Sequence, residues 1–303
     1  MFAGVVGAVY LSTHRDVKAA DLPLKAPAYG DPSIFAPAVD GVNWKVGGLG
    51  GSLADRTLGG AQGSLSVPLG NQYGAQIDGT LGSFDGSFFG NFGGHLFWRN
   101  PSQGLLGLYV NHTHWDQFGG VHVTQFAGEG EYYWQRWTLQ GIAGVEFGNS
   151  GSVVSGTPAT GLITDTIDVK TRFFDKVNVA YYLTDNWKAF VGHRYLGGKN
   201  ALALGSEYAL PLSGGKMASA FVEGRIGEND FHGVWGGLKF YVGQKDKPLI
   251  ARHRQDDPIN WDPDTLFSLT NSFSRTATAP KPSTPTCQSG YVYISGEGCQ
   301  PQS

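Results

Sequence analysis

Gln72-Tyr73-Gly74-Ala75-Gln76-Ile77-Asp78-Gly79-Thr80-Leu81-Gly82 is the stretch whose reading decides the fold. Tyr73, Ala75, Ile77, Gly79 and Leu81 share one parity; Gln72, Gln76, Asp78 and Thr80 share the other. A period of two is that of a β-strand with one apolar and one polar face. A strand of this length, tilted, crosses the hydrocarbon core of a bilayer, about 30 Å thick.

The signature recurs outward from this stretch in both directions. Twelve segments of similar length carry it, at about 42–51, 57–69, 72–82, 87–99, 103–114, 121–134, 137–148, 171–183, 187–196, 200–211, 216–226 and 231–243. In 137–148, Trp137, Leu139, Ala143, Val145 and Phe147 oppose Thr138, Gln140 and Glu146; in 216–226, Ala218, Ala220, Val222 and Ile226 oppose Ser219, Glu223 and Arg225. In 231–243, Val234, Leu238, Phe240 and Val242 oppose Lys239 and Tyr241. The pattern is broken where Asp175 and His193 fall on apolar faces. No segment shows a capped helical stripe, and no run of eighteen apolar residues exists, which argues against a transmembrane helix. The mean hydropathy of −0.19 is compatible with membrane strands, because alternation keeps the average modest. A net charge of −3 gives no footprint for nucleic acid.

These features predict an all-β fold: a transmembrane antiparallel up-and-down barrel of about twelve strands with a mostly irregular C-terminal tail. If odd-numbered strands run outward from the periplasm, Trp44, Tyr73, Trp98, Trp134, Trp137, Tyr181, Trp187, Tyr208 and Phe240 form an aromatic girdle near the periplasmic end. Phe88, Phe147, Phe173 and Tyr195 then mark the outer end. Connections on the periplasmic side are short, and the one long connection, 149–170, rich in Gly, Ser and Thr, is expected as an exposed outer loop. A secreted soluble β-sandwich would alternate as well; the aromatic margins favour the barrel.

Four regions follow. Residues 1–20 read as a signal peptide, with the apolar run Phe2–Ser12, the cleavage pattern Val17-Lys18-Ala19 and a true start upstream of Met1. Residues 21–41 are expected as an N-terminal periplasmic segment, 42–243 as the barrel, and 244–303 as an extended periplasmic tail. That tail holds a Pro/Thr-rich linker at 275–286 and the cysteines Cys287 and Cys299, whose pairing would close a small loop in an oxidising compartment around a hairpin at Tyr291-Val292-Tyr293-Ile294.

Ala19-Ala20-Asp21-Leu22-Pro23-Leu24-Lys25-Ala26-Pro27 resembles the mature start of alphaproteobacterial, especially rhizobial, outer-membrane β-barrel proteins of porin-like type. Lys247-Pro248-Leu249-Ile250-Ala251-Arg252-His253-Arg254-Gln255-Asp256-Asp257-Pro258 resembles a stretch at the end of such barrels. Gly237, Phe240 and Val242 approximate the glycine-aromatic pattern read by the barrel insertion machinery. The resemblance implies a location in the bacterial outer membrane, with outer-membrane lipid and the insertion machinery as partners; it leaves the oligomeric state open.

Lys45, Asp78, His95, Glu129, Glu131, Glu146, Lys176, Lys188, Arg194, Glu207, Glu223, Arg225 and Lys239 are the candidates for lining the lumen. Mixed signs suit a passive narrow channel for small polar solutes, the leading expectation, or a structural or surface-interaction barrel with a plugged lumen. His112, His114 and His122 with Asp116 cluster at one outer turn and read as a solvated rim rather than a metal site. His193 is the one suggestive residue for a hydrolase, but no Gly-x-Ser-x-Gly elbow accompanies it, so no enzyme activity, cofactor or metal is expected.

Overall fold

The computed structural model describes residues 36–157, 161–279, 287–294 and 298–301, so the signal-peptide reading lies outside the described residues. Fourteen strands follow in chain order: β1 Asn43–Leu53, β2 Arg56–Pro68, β3 Tyr73–Phe84, β4 Ser87–Asn100, β5 Gly104–Trp115, β6 Val121–Trp134, β7 Trp137–Gly148, β8 Ser150–Thr157, β9 Gly161–Asp168, β10 Arg172–Thr184, β11 Trp187–Leu196, β12 Lys199–Pro211, β13 Lys216–Gly227 and β14 His232–Val242. All but β8 and β9 form one closed antiparallel ring of twelve, in which β1 pairs with β14 and β10 pairs with β7. The ends of these ring strands fall within two residues of the expected ones.

Tight turns at the end away from Asn43 explain the hairpins. Ala54-Asp55, Asp85-Gly86 and Gly197-Gly198 have positive φ at both central residues, the backbone whose twist matches paired strands. Alternation then sorts the side chains. Leu106, Ile226 and Leu238 on the outward face are 66%, 66% and 68% exposed, within a continuous band of exposed apolar residues on every ring strand. A band of that extent is a lipid surface, not the surface of a soluble domain. The expected girdle lines one margin of it: register sets Tyr73 opposite Trp98, Trp137 opposite both Trp134 and Tyr181, and Trp187 opposite Tyr208, while Phe240 stands 6.3 Å from Trp44.

Two expectations are corrected. The connection at 149–170 is not a plain loop: β8 and β9 pair there as an arm beyond the ring, built from β-branched Val, Ile and Thr. The segment after β14 is neither extended nor confined to the side where the barrel starts. It forms α1 (Leu249–Gln255) and α2 (Asp262–Thr270) inside the ring, then β15 (Phe273–Thr278) on β9. The physical reason is the charge of the lumen, described below. Past the linker, β16 (Tyr291–Ile294) pairs with β17 (Gly298–Pro301), and a disulfide joins Cys287 to Cys299 with Cα atoms 5.7 Å apart.

The ring closes where β1 meets β14, and Gly237 sits at the tightest approach: a Cβ there would lie 1.9 Å from the Gly48 carbonyl oxygen. Gly237→Ala is expected to destabilise the folded barrel by about 1–3 kcal/mol through overpacking. Gly128→Ala, into open space, is the neutral control. Thermal loss of the heat-modifiable gel form compares them; equal midpoints would contradict the seam's tightness.

Candidate functional site

The ring's interior is the site, and sheet register explains its composition. Lys188 lies opposite Glu207 across β11 and β12, an attractive pair. Lys176 lies directly opposite Arg194 across β10 and β11, a repulsive one, and Arg225 on β13 approaches the same place. Among the described residues one strand carboxylate, Glu223 of β13, reaches Arg225, and none is paired with Arg194. The tail supplies that partner.

At the end where the barrel chain begins, Leu249 and Ile250 of α1 pack on Tyr182, Ala209, Met217 and Tyr241. Arg252 donates to the Gly215 carbonyl at 2.7 Å and Arg254 to the Trp137 carbonyl at 2.7 Å. Lys247 bridges Asp40 at 3.1 Å and Asp256 at 2.6 Å. Burial alone would raise the Asp40 carboxyl, but Lys247 and Lys245 outweigh it and hold the group below the usual carboxylate range. One step deeper, Lys45 pairs with Asp257 at 2.5 Å. Glu207 accepts from Tyr241 at 2.6 Å, Ser219 at 2.7 Å and Lys239 at 3.1 Å, with Lys188 at 3.8 Å.

The middle layer is ionic. Asp264 of α2 accepts from Arg194 Nε at 2.6 Å and from Arg225 Nε at 2.7 Å, and Glu223 holds Arg225 from the other side at 2.8 Å. Lys176 donates to the Trp261 carbonyl at 3.1 Å and to Thr265 at 2.9 Å. Asp262 accepts from Thr80 and Asn111, both at 3.0 Å. Glu146 accepts from Ser268 at 2.6 Å and from the Gly197 backbone at 2.8 Å. On the opposite wall His95 lies between Asp78 at 2.9 Å and Glu129 at 2.6 Å, and Glu131 accepts from Tyr133 at 2.5 Å. All thirteen of the sequence-predicted lumen side chains have a protein partner.

The far mouth is apolar. The Phe267 ring lies tilted 4.6 Å from Phe231 and 6.3 Å from Trp235, and Leu266 and Leu269 belong with Phe84, Phe89, Trp115 and Phe174 to one buried cluster. Beside the tail is a cavity of about 50 Å³ bordered by Lys45, Lys188, Glu207 and Asp257, room for a few waters. Outside the mouth, Arg275 of β15 grips Asp165 of β9 with bonds of 2.6 and 2.8 Å, and this holds the Asp165 carboxyl below its usual range.

The tail's contribution was missed by sequence reasoning. Its signal was Asn260-Trp261-Asp262-Pro263-Asp264: Pro in the first turn and two acids where a helix dipole favours them, with the Asn260 side chain accepting from the Asp262 backbone at 2.8 Å. The two residues that broke the apolar pattern explain each other. His193 bonds Asp175 at 2.8 Å and Asn200 at 3.2 Å on the outward face near the far rim. His112 and His122 stack at 5.2 Å, while His114 turns to Asp116 at 2.7 Å, and among the described residues no three such groups converge as a metal site.

No protein-family model matches the chain, and no curated protein is similar to it. Solved structures are. An outer-membrane channel from Pseudomonas putida F1 aligns at 10% identity and a TM-score of 0.44, covering 70% of this chain and 99% of that one. The translocator domain of the autotransporter NalP from Neisseria meningitidis aligns at 11% and 0.41, covering 66% and 87%. The toluene transporter TodX from Pseudomonas putida aligns at 9% and 0.35, covering 68% and 90%. The chain's own features define its class: a transmembrane β-barrel whose lumen is filled by its own C-terminal segment.

Asp264→Ala leaves buried Arg194 without its carboxylate and Arg225 with Glu223 alone, and is expected to cost about 3–5 kcal/mol. Replacing Asp264, Arg194 and Arg225 together by apolar residues of similar volume is expected to restore most of that. Urea unfolding in detergent micelles reads both, and an additive loss in the triple variant would count against the shared network.

Proposed function

We propose that this protein is a bacterial outer-membrane barrel closed by its own tail, a structural or surface-interaction barrel in its resting state. The observation that carries this is Asp264 on α2, clasped between Arg194 and Arg225 in the middle of the ring. The outward apolar band, the aromatic girdle and the even number of ring strands support the membrane setting. The disulfide fits an oxidising envelope. On this reading a passive channel for small polar solutes requires α1 and α2 to leave the lumen, where their side chains now occupy the polar inner face.

Planar-bilayer recording separates the two readings. The intact protein is expected to give no steady conductance, and a chain ending at Lys247, which lacks both helices, is expected to give stable steps. Steady conductance from the intact protein would overturn the closed reading.

A further inference from the structure

The tail enters the lumen at one mouth and leaves by the other. β14 ends at Val242 beside Trp44, at the start of β1. α1 is tied to the turns of that same end: the Leu249 backbone donates to the Asn186 side chain at 3.0 Å and the Ile250 backbone to the Asp185 carbonyl at 3.0 Å. Asp264 lies midway. Asn271 donates to the Leu196 carbonyl at 2.8 Å, next to the Gly197-Gly198 turn of the opposite end, and the Asp168 backbone donates to the Ser272 carbonyl at 3.1 Å.

β15 then runs along the β8–β9 arm. Phe273 sits opposite Ile167 at the foot of the β8–β9 arm, and Thr278 sits opposite Leu162 near its tip. Six extended residues move the chain about 20 Å beyond the foot of the arm. The lumen already holds α1 and α2, and a polar Pro/Thr-rich stretch returning outside the wall would lie in hydrocarbon with its backbone unpaired. An even-stranded barrel leaves both of its chain ends on one side; in outer-membrane barrels short turns mark the periplasm and longer connections the exterior. Here the arm stands at the mouth through which the tail emerges.

We propose that this barrel carries its own C-terminal segment across the outer membrane and displays it on the cell surface, with the Cys287–Cys299 hairpin at the end of a Pro/Thr-rich spacer. The proposal rests on the membrane reading above. It gives the linker and the cysteine pair a role that the closed lumen alone leaves unused: a spacer, and a staple for a segment too small to hold its own core. Tyr291, Val292, Tyr293 and Ile294 of β16 are exposed on that hairpin.

The test uses the full chain with an epitope tag fused after Ser303, expressed in a Gram-negative host, and a second version with the tag inserted between Gly70 and Asn71 at the opposite end. Protease is added to intact cells and to cells with a permeabilised outer membrane, and membranes are fractionated from the same culture. The expected result is near-complete loss of the C-terminal tag on intact cells, with the Gly70–Asn71 tag protected until permeabilisation. A C-terminal tag that stays protected on intact cells, in a protein recovered from the outer-membrane fraction, overturns the display proposal and leaves the barrel reading standing. Recovery outside the outer-membrane fraction overturns both.

Discussion

The pair of arginines on Asp264 is the interaction on which the rest depends. Arg194 and Arg225 are almost fully buried, and Lys176 lies beside them with no exposure at all. Three cations taken out of water are costly unless anions join them there. The ring supplies Glu223 to Arg225, so without the tail the middle of the lumen carries an excess of positive charge. α2 brings Asp264 to it, together with the Trp261 carbonyl and the Thr265 hydroxyl for Lys176. The position of the tail and its emergence at the far mouth both follow from that one acid being needed where it is.

The layers on either side divide the work. Glu207 and Asp257 take up the lysines nearer the entrance, where a small cavity leaves room for water. Phe231, Trp235 and Phe267 close the far mouth by apolar packing, which needs no partner from the sheet. The plug is therefore specified by charge in its middle and by shape at its end.

The barrel was legible in the sequence and the plug was not, for a reason of range. Alternation is local: Tyr73 to Leu81 declare a face without reference to any other strand, and the aromatics from Trp44 to Phe240 fall on that same apolar face. A nine-residue helix such as α2 declares little, because short helices are held by tertiary packing rather than by their own propensity. The conflict between Lys176 and Arg194 was readable once β10 and β11 are paired, and it asks for an anion from outside the sheet. It does not say which segment provides it. Asp175 and His193, each an anomaly on its own strand, become a pair in the same hairpin, diagonal to each other across register. The β8–β9 arm was hidden by composition, since Gly, Ser and Thr serve loops as well as strands.

The short connection from Gly243 to Pro248 joins ring and stopper in one polypeptide. Closure is therefore a unimolecular event, indifferent to how many copies share the membrane. A stopper on so short a tether works at an effective concentration on the order of millimolar. Each barrel is sealed in strict one-to-one proportion without recruiting a second gene product, and an α2 that slipped free would still be leashed to the mouth it left.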